Sequence, residues 1–127
     1  MFANTKATNG FAVDDVEAAK RFYGETLGLG VSELSEEHGL FSIRLAGGRD
    51  TLVYRKPDFV PATYTILNFE VDDIDAAVDE LSAKGVEMEG YEGFDQDEKG
   101  IARGPGPSIA WFKDPAGNIL AVLQQPS

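Results

Sequence analysis

The side chains able to do chemistry are unevenly supplied. The chain has one histidine, His38, and no cysteine, against 22 aspartates and glutamates in 127 residues. Without a thiol, a disulfide framework, a thiolate metal site and a cysteine nucleophile are all excluded. His38 follows Glu36-Glu37 in a predicted turn between strands, where a lone imidazole reads as an ordinary solvent-facing side chain. Asp95, Asp97 and Glu98 stand close together but lack the glycine and the terminal bidentate acid of a calcium loop, so they read as solvated. Proton transfer would fall to Tyr54 or to an inward acid such as Glu70, with no acid and base paired at an obvious spacing. What remains is better suited to binding than to bond-making: the single tryptophan Trp111, with Thr8, Arg44, Tyr54 and Asn68 as polar points.

These residues need a scaffold, and the sequence supplies one twice. FAVDDVEAA at Phe11 to Ala19 returns as FEVDDIDAA at Phe69 to Ala77, an offset of 58 (69 − 11 and 77 − 19). In each copy an alternating apolar run meets a pair of aspartates and then residues at helical spacing. This predicts a strand entering a helix, with Asp14 or Asp72 as N-cap and an acid in the positive first turn. The first half reads as a strand over 5–13, a helix over 16–27, and strands over 31–34, 40–45 and 51–56, or βαβββ. After a short connector the order recurs: a strand over 63–71, a helix over 74–83 with Gly85 as its C-cap, and strands over 86–91, 108–113 and 118–124. Two copies suit one pseudo-symmetric domain spanning 1–127, built from pseudo-repeats 5–57 and 63–124, and not a solenoid. Residues 90–107 form the one irregular insertion, either a lid or a plain surface loop.

Composition bounds the partners. A net charge of −11 and a pI near 4.3 argue against nucleic acid, whose phosphates repel such a surface. No run approaches the roughly 20 apolar residues that span a bilayer, so no membrane partner is expected and the simple reading is a cytoplasmic protein.

Three segments carry a resemblance: VDDVEAAKRFYGETLGL from Val13 to Leu29, NFEVDDIDAAVDELSAKGV from Asn68 to Val86, and FKDPAGNILAVLQ from Phe112 to Gln124. With the intervening strands they resemble the vicinal oxygen chelate superfamily, which holds glyoxalase I, extradiol dioxygenases and bleomycin-resistance proteins. The resemblance implies an α+β glyoxalase-like fold, with two βαβββ modules curling into an incomplete barrel around a ligand cavity. In metal-dependent members, His and Glu side chains on the inward strand faces hold a divalent ion there. The family's ligand positions fall in this sequence on Thr8, on Ile66, on Ala121 and near Leu52 to Tyr54, where only the Tyr54 phenol could coordinate. Threonine, isoleucine and alanine do not make a metal centre, so neither a metal nor another cofactor is expected.

Alternation along the strands turns Thr8, Gly10, Ile66 and Asn68 to the cavity if Phe11, Val13, Leu67, Phe69 and Val71 pack under the helices. By the same argument Phe112 goes to the core and Trp111 to the cavity, and on the third strand Ser42 and Arg44 lie opposite Phe41 and Ile43. The expected ligand-binding set is therefore Thr8, Arg44, Tyr54, Ile66, Asn68, Trp111 and Ala121, around an aromatic or amphipathic small organic molecule. The leading expectation is a metal-independent binding protein of the bleomycin-resistance type. The alternatives are a lyase, isomerase or dioxygenase with a non-standard site, or a structural or interaction protein. The resemblance also implies a homodimer.

Overall fold

The computed structural model describes residues 1–126. It divides into two compact units between Val60 and Pro61, within the connector joining the two repeats.

In the first unit β1 (Asn9–Val13) enters α1 (Val16–Arg21), followed by β2 (Gly30–Ser35), β3 (Leu40–Leu45) and β4 (Arg49–Arg55). The sheet order is β1-β4-β3-β2: β1 lies parallel to β4, and the other pairs are antiparallel. The second unit repeats this with β5 (Thr65–Glu70), α2 (Ile74–Ala83), β6 (Met88–Glu89), β7 (Ser108–Lys113) and β8 (Ile119–Gln124), in the order β5-β8-β7-β6. Parallel pairing of first and last strands needs a crossover, and the helix in each unit is that crossover. The chain thus has the α+β architecture of two βαβββ modules.

The caps explain where the helices begin. Asp15 and Asp73, not Asp14 and Asp72, take the extended cap conformation, and each accepts a 3.1 Å hydrogen bond from the backbone N–H three residues on, Ala18 and Ala76. Only the second aspartate of each pair stands at the reach that satisfies a first-turn donor. In α2 the Gln124 side chain adds a further acceptor for the Ile74 N–H at 2.9 Å.

The ends differ. After Arg21 the first helix widens into a π-helical turn, Phe22–Thr26, closed by the Leu27 N–H on the Phe22 carbonyl at 2.9 Å. The predicted uniform helix over 16–27 is therefore α-helical only in its first part. It carries Ala19, Phe22 and Tyr23 into the core, where the Tyr23 ring meets Phe11 at 5.6 Å and Phe22 at 5.3 Å. By contrast α2 ends in a Schellman motif, with Gly85 at φ +86, its N–H on Ser82 and the Val86 N–H on Leu81, both at 3.0 Å.

Burial follows sheet parity. Phe11, Val53 and Phe41 are register partners across one face of the first sheet, and all three are buried. In the second sheet Leu120 and Phe112 are partners on the face that receives Ile74, Val78 and Leu81 from α2. Thr51, fully buried, donates to the Asn9 side chain at 2.9 Å and ties β1 to β4.

The Asp114-Pro115-Ala116-Gly117-Asn118 turn is a structural knot. Buried Asp114 accepts from the Ala116 and Asn118 backbone N–H groups through one oxygen and from the Asn118 side chain through the other.

Several strands are shorter than the sequence predicts: β5 keeps Thr65–Glu70 of the expected 63–71 and β8 keeps Ile119–Gln124 of 118–124, and the larger differences are in β1 and β6. β1 begins at Asn9, which leaves Thr8 outside it, and β6 keeps only Met88 and Glu89 of the expected 86–91.

Candidate functional site

The opposite face of the second sheet holds the best-defined group of side chains. Asn68, Ala121, Trp111 and Glu89 are successive register partners across β5, β8, β7 and β6, so they form one row on the face away from α2. Three expected binding residues are thereby brought side by side. Asn68 is exposed, Ala121 is fully buried, and Trp111 keeps only 8% of its surface open. Ile66 lies at a register shift between Thr65 and Leu67 and is half-buried. Glu70, two residues beyond Asn68, is exposed and accepts from the Gln125 side chain at 3.2 Å.

Trp111 is covered by residues that strand periodicity does not reveal. Tyr91 meets its ring edge-on at 5.5 Å and 82°, and Phe94 lies over it at 4.8 Å and 59°. Both spacings suit favourable aromatic pairs. The Tyr91 hydroxyl is buried with no hydrogen-bond partner, and its pKa is raised, first by burial and then by the Glu89 carboxylate, with Lys113 opposing. It therefore stays a protonated donor through the physiological range. Glu89 pairs with Lys113 at 3.5 Å on the same face.

The segment 90–107 that carries Tyr91 and Phe94 is held by side chains acting as main-chain substitutes. Gln96 accepts from the Tyr91 N–H at 2.8 Å and donates to the carbonyls of Glu89 at 2.9 Å and Gly100 at 2.8 Å. One Asp97 oxygen accepts from the backbone N–H groups of Lys99 and Ile101, and the other from Arg103. Asp97, expected to be solvated, is exposed and has a local role besides: three donors need an acceptor at that turn, and its carboxylate serves them with both oxygens. Ala102 pairs with Ile109, continuing the edge that β6 leaves short.

Arg103 also reaches Asp75 on α2 at 2.7 Å, and Lys99 pairs with Asp75 at 3.5 Å and Asp79 at 3.1 Å. The Arg103 hydrogen bond lowers the Asp75 pKa, and the Ile101 N–H, followed by Arg103, lowers that of Asp97.

The remaining expected residues belong to the first unit. Thr8 is exposed before β1; Arg44 is exposed and 3.9 Å from Asp50. Tyr54 is 42% exposed beside its register partners Ala12 and Leu40, with Leu52 two residues before it on the same face.

Each unit has an open groove, and the one in the second unit borders the Trp111 row at Glu89. One of about 760 Å³ is lined by Val78, Ser82, Met88, Gln96 and Lys99, and one of about 500 Å³ by Asp15, Lys20, Glu33 and Arg55. Neither is lined by any of the seven expected residues.

The matching family model covers residues 7–122 and is that of the glyoxalase/bleomycin resistance protein/dioxygenase superfamily. The chain belongs to this superfamily. Among solved structures, it is similar to TnmS3, an antibiotic binding protein from Streptomyces sp. CB03234, at 26% identity and a TM-score of 0.72, covering 97% of this chain and 98% of that one. It is also similar to a glyoxalase/bleomycin resistance protein from the same organism, at 27% identity and a TM-score of 0.64, covering 93% and 100%. A lactoylglutathione lyase from Agrobacterium tumefaciens shares the fold at 20% identity and a TM-score of 0.69, covering 94% and 93%. No curated protein matches the sequence.

The metal implied by this superfamily does not fit the residues present. Ala121 is a buried methyl group, Ile66 a hydrocarbon and Thr8 an exposed hydroxyl. His38, the only imidazole in the sequence, is engaged with the Ser35 hydroxyl at 2.9 Å in the β2–β3 turn. Among the described residues no three His, Cys, Asp or Glu side chains gather in a form that could hold an ion. The chain is a glyoxalase-superfamily member without the usual metal ligands. No helix among the described residues is long and apolar enough to cross a membrane.

Proposed function

We propose that this protein binds a small aromatic or amphipathic molecule and releases it unchanged, removing it by mass action. The observation that carries the reading is the row Asn68–Ala121–Trp111, capped by the Tyr91 and Phe94 rings on the sheet face away from α2. An indole flanked by aromatic rings, with an amide and a phenol nearby, supplies affinity by stacking and orientation by hydrogen bonds. The antibiotic-binding description of TnmS3, at 26% identity over nearly the whole of both chains, supports the same reading. Ile66, in the same unit, belongs to this proposal; Thr8, Arg44 and Tyr54 are proposed as binding residues of the first unit, and a homodimer is proposed as well.

Catalysis is the less supported reading. Beside the Trp111 row, the Glu70 carboxylate accepts from Gln125, and Glu89 pairs with Lys113. Neither stands with a partner as an acid–base couple.

Trp111 is the sole tryptophan, so its fluorescence reports the site directly. Titration with a panel of planar aromatic antibiotics and small aldehydes is expected to give saturable quenching by at least one aromatic, with the compound recovered intact. Conversion of any panel member would replace this reading with an enzymatic one, and an unresponsive Trp111 across the panel would end it. Sedimentation of the free protein at a dimer mass is expected, and a monomer would remove the homodimer from the proposal.

A further inference from the structure

Phe94 is poorly placed for a residue that serves only stability. It keeps 54% of its surface exposed while its ring lies on Trp111. It belongs to a short tip, Glu92-Gly93-Phe94-Asp95, whose four residues are all exposed. On either side the chain is fastened: Tyr91 donates its N–H to the Gln96 side chain, and Gln96 is tied in turn to Glu89 and Gly100. Gly93, at φ +89, supplies the turn. The fastening bonds at 91 and 96 thus lie outside the tip. Trp111 beneath it is fixed in the strand ladder with Tyr91 against it edge-on, and Phe94 is the part of its cover that lies on the exposed tip.

We propose that Phe94 is an internal stand-in for the ligand, and that binding is an exchange in which a planar aromatic group replaces the Phe94 ring on Trp111 and offers a hydrogen-bond acceptor to the Tyr91 hydroxyl. The proposal rests on the small-molecule reading above and deepens it by naming the ligand class. Ring-for-ring exchange trades the tilted Phe94 contact, at 59° to the indole, for another aromatic contact, so displacement itself costs little. A bicyclic ligand covers more of Trp111 than one phenyl ring, and that extra area favours it. The Tyr91 hydroxyl adds selectivity, because a buried donor without a partner carries a desolvation penalty that an acceptor relieves. Glu89 in the cluster is paired with Lys113, while Glu92 and Asp95 stand exposed beside Phe94, so a neutral or cationic ligand is favoured over an anion.

Calorimetric titration with coumarin, a planar bicycle carrying a carbonyl acceptor, and with naphthalene, the same shape without one, tests this on the wild-type protein and two variants. Phe94→Ala is expected to bind coumarin roughly three- to tenfold more tightly than wild type, since the competing ring is gone. Tyr91→Phe is expected to weaken coumarin by roughly five- to tenfold and leave naphthalene unchanged. Without any ligand, acrylamide quenching of Trp111 is expected to rise in Phe94→Ala, and unaltered quenching would show that Phe94 does not cover the indole. Wild-type binding with equal or weaker affinity in Phe94→Ala would overturn the exchange and leave the small-molecule reading standing. Failure of both proteins to bind either compound, and of the wild type to respond to the antibiotic panel, would remove the two together.

Discussion

The two halves share a strand order and part company on the way from helix to third strand. In the first, β2 runs from Gly30 to Ser35 and turns directly into β3. In the second, β6 has two residues, and the chain then wanders through 90–107 before β7. Where a strand is given up, its main-chain donors and acceptors need other partners. Gln96 and Asp97 are those partners, and the freed backbone carries Tyr91 and Phe94 onto Trp111. One half thus keeps the plain module, and the other spends its departure from symmetry on a cluster of aromatic rings.

That comparison can be broken or sharpened by measurement. Phe41→Ala in the first half and Phe112→Ala in the second each empty a site with 0–1% exposure, and each is expected to cost about 3–5 kcal/mol in denaturant unfolding. Strongly unequal losses would show that one module carries most of the stability. Gln96→Ala is expected to cost about 2 kcal/mol by orphaning three main-chain groups, with faster amide exchange at Tyr91 and unchanged exchange in β1–β4. Exchange that quickens equally in both halves would contradict a local role for this side chain.

The helix caps give a finer contrast. Asp15→Ala is expected to lower stability by about 1 kcal/mol. Asp73→Ala is expected to cost a similar amount, because Gln124 accepts from the Ile74 N–H and does not serve the Ala76 N–H that Asp73 would leave; a much smaller loss at Asp73 would show that Gln124 holds the start of α2 by itself.

The smallest effect is a pH dependence read at two carboxylates of the second half. Asp75 and Asp97 have folded pKa values below their unfolded ones, so they bind fewer protons when folded. Their contribution is complete at neutral pH and is lost as pH falls below the ordinary carboxylate range through the lowered values. The Ile101 amide, bonded to Asp97, is expected to lose exchange protection in that acid window, and Asp75→Asn to diminish the step. Both carboxylates lie near the surface, so a modest change is expected.

Much of the architecture was legible because the repeat states it twice and because period 2 and period 3.6 are easily told apart. Trp111 could be assigned its face from Phe112 beside it, since neighbouring strand residues point opposite ways. The ladder that sets Asn68, Ala121 and Trp111 in one row bears out that parity. The N-caps missed by one residue because an Asp-Asp pair offers two equivalent candidates, and only backbone geometry chooses between them. β6 was drawn too long because 86–91 alternates acceptably, while its partners past Glu89 are supplied by a side chain. Tyr91 and Phe94 went unseen for the same reason: a glycine-rich acidic loop has no period, and the cue available was two aromatics three residues apart within it. The groups that fasten this loop, Gln96 and Asp97, look from sequence like any polar surface residues.

Parallel closure of each sheet also bears on how the protein comes to be made. Asn9 must meet Thr51 across 42 residues before β1 can join, so the hairpin of β3 and β4 has the shorter path and forms sooner. Every strand of the first sheet is contained in residues 9–55. A chain leaving the ribosome can therefore complete that ladder while the second half is still being synthesised.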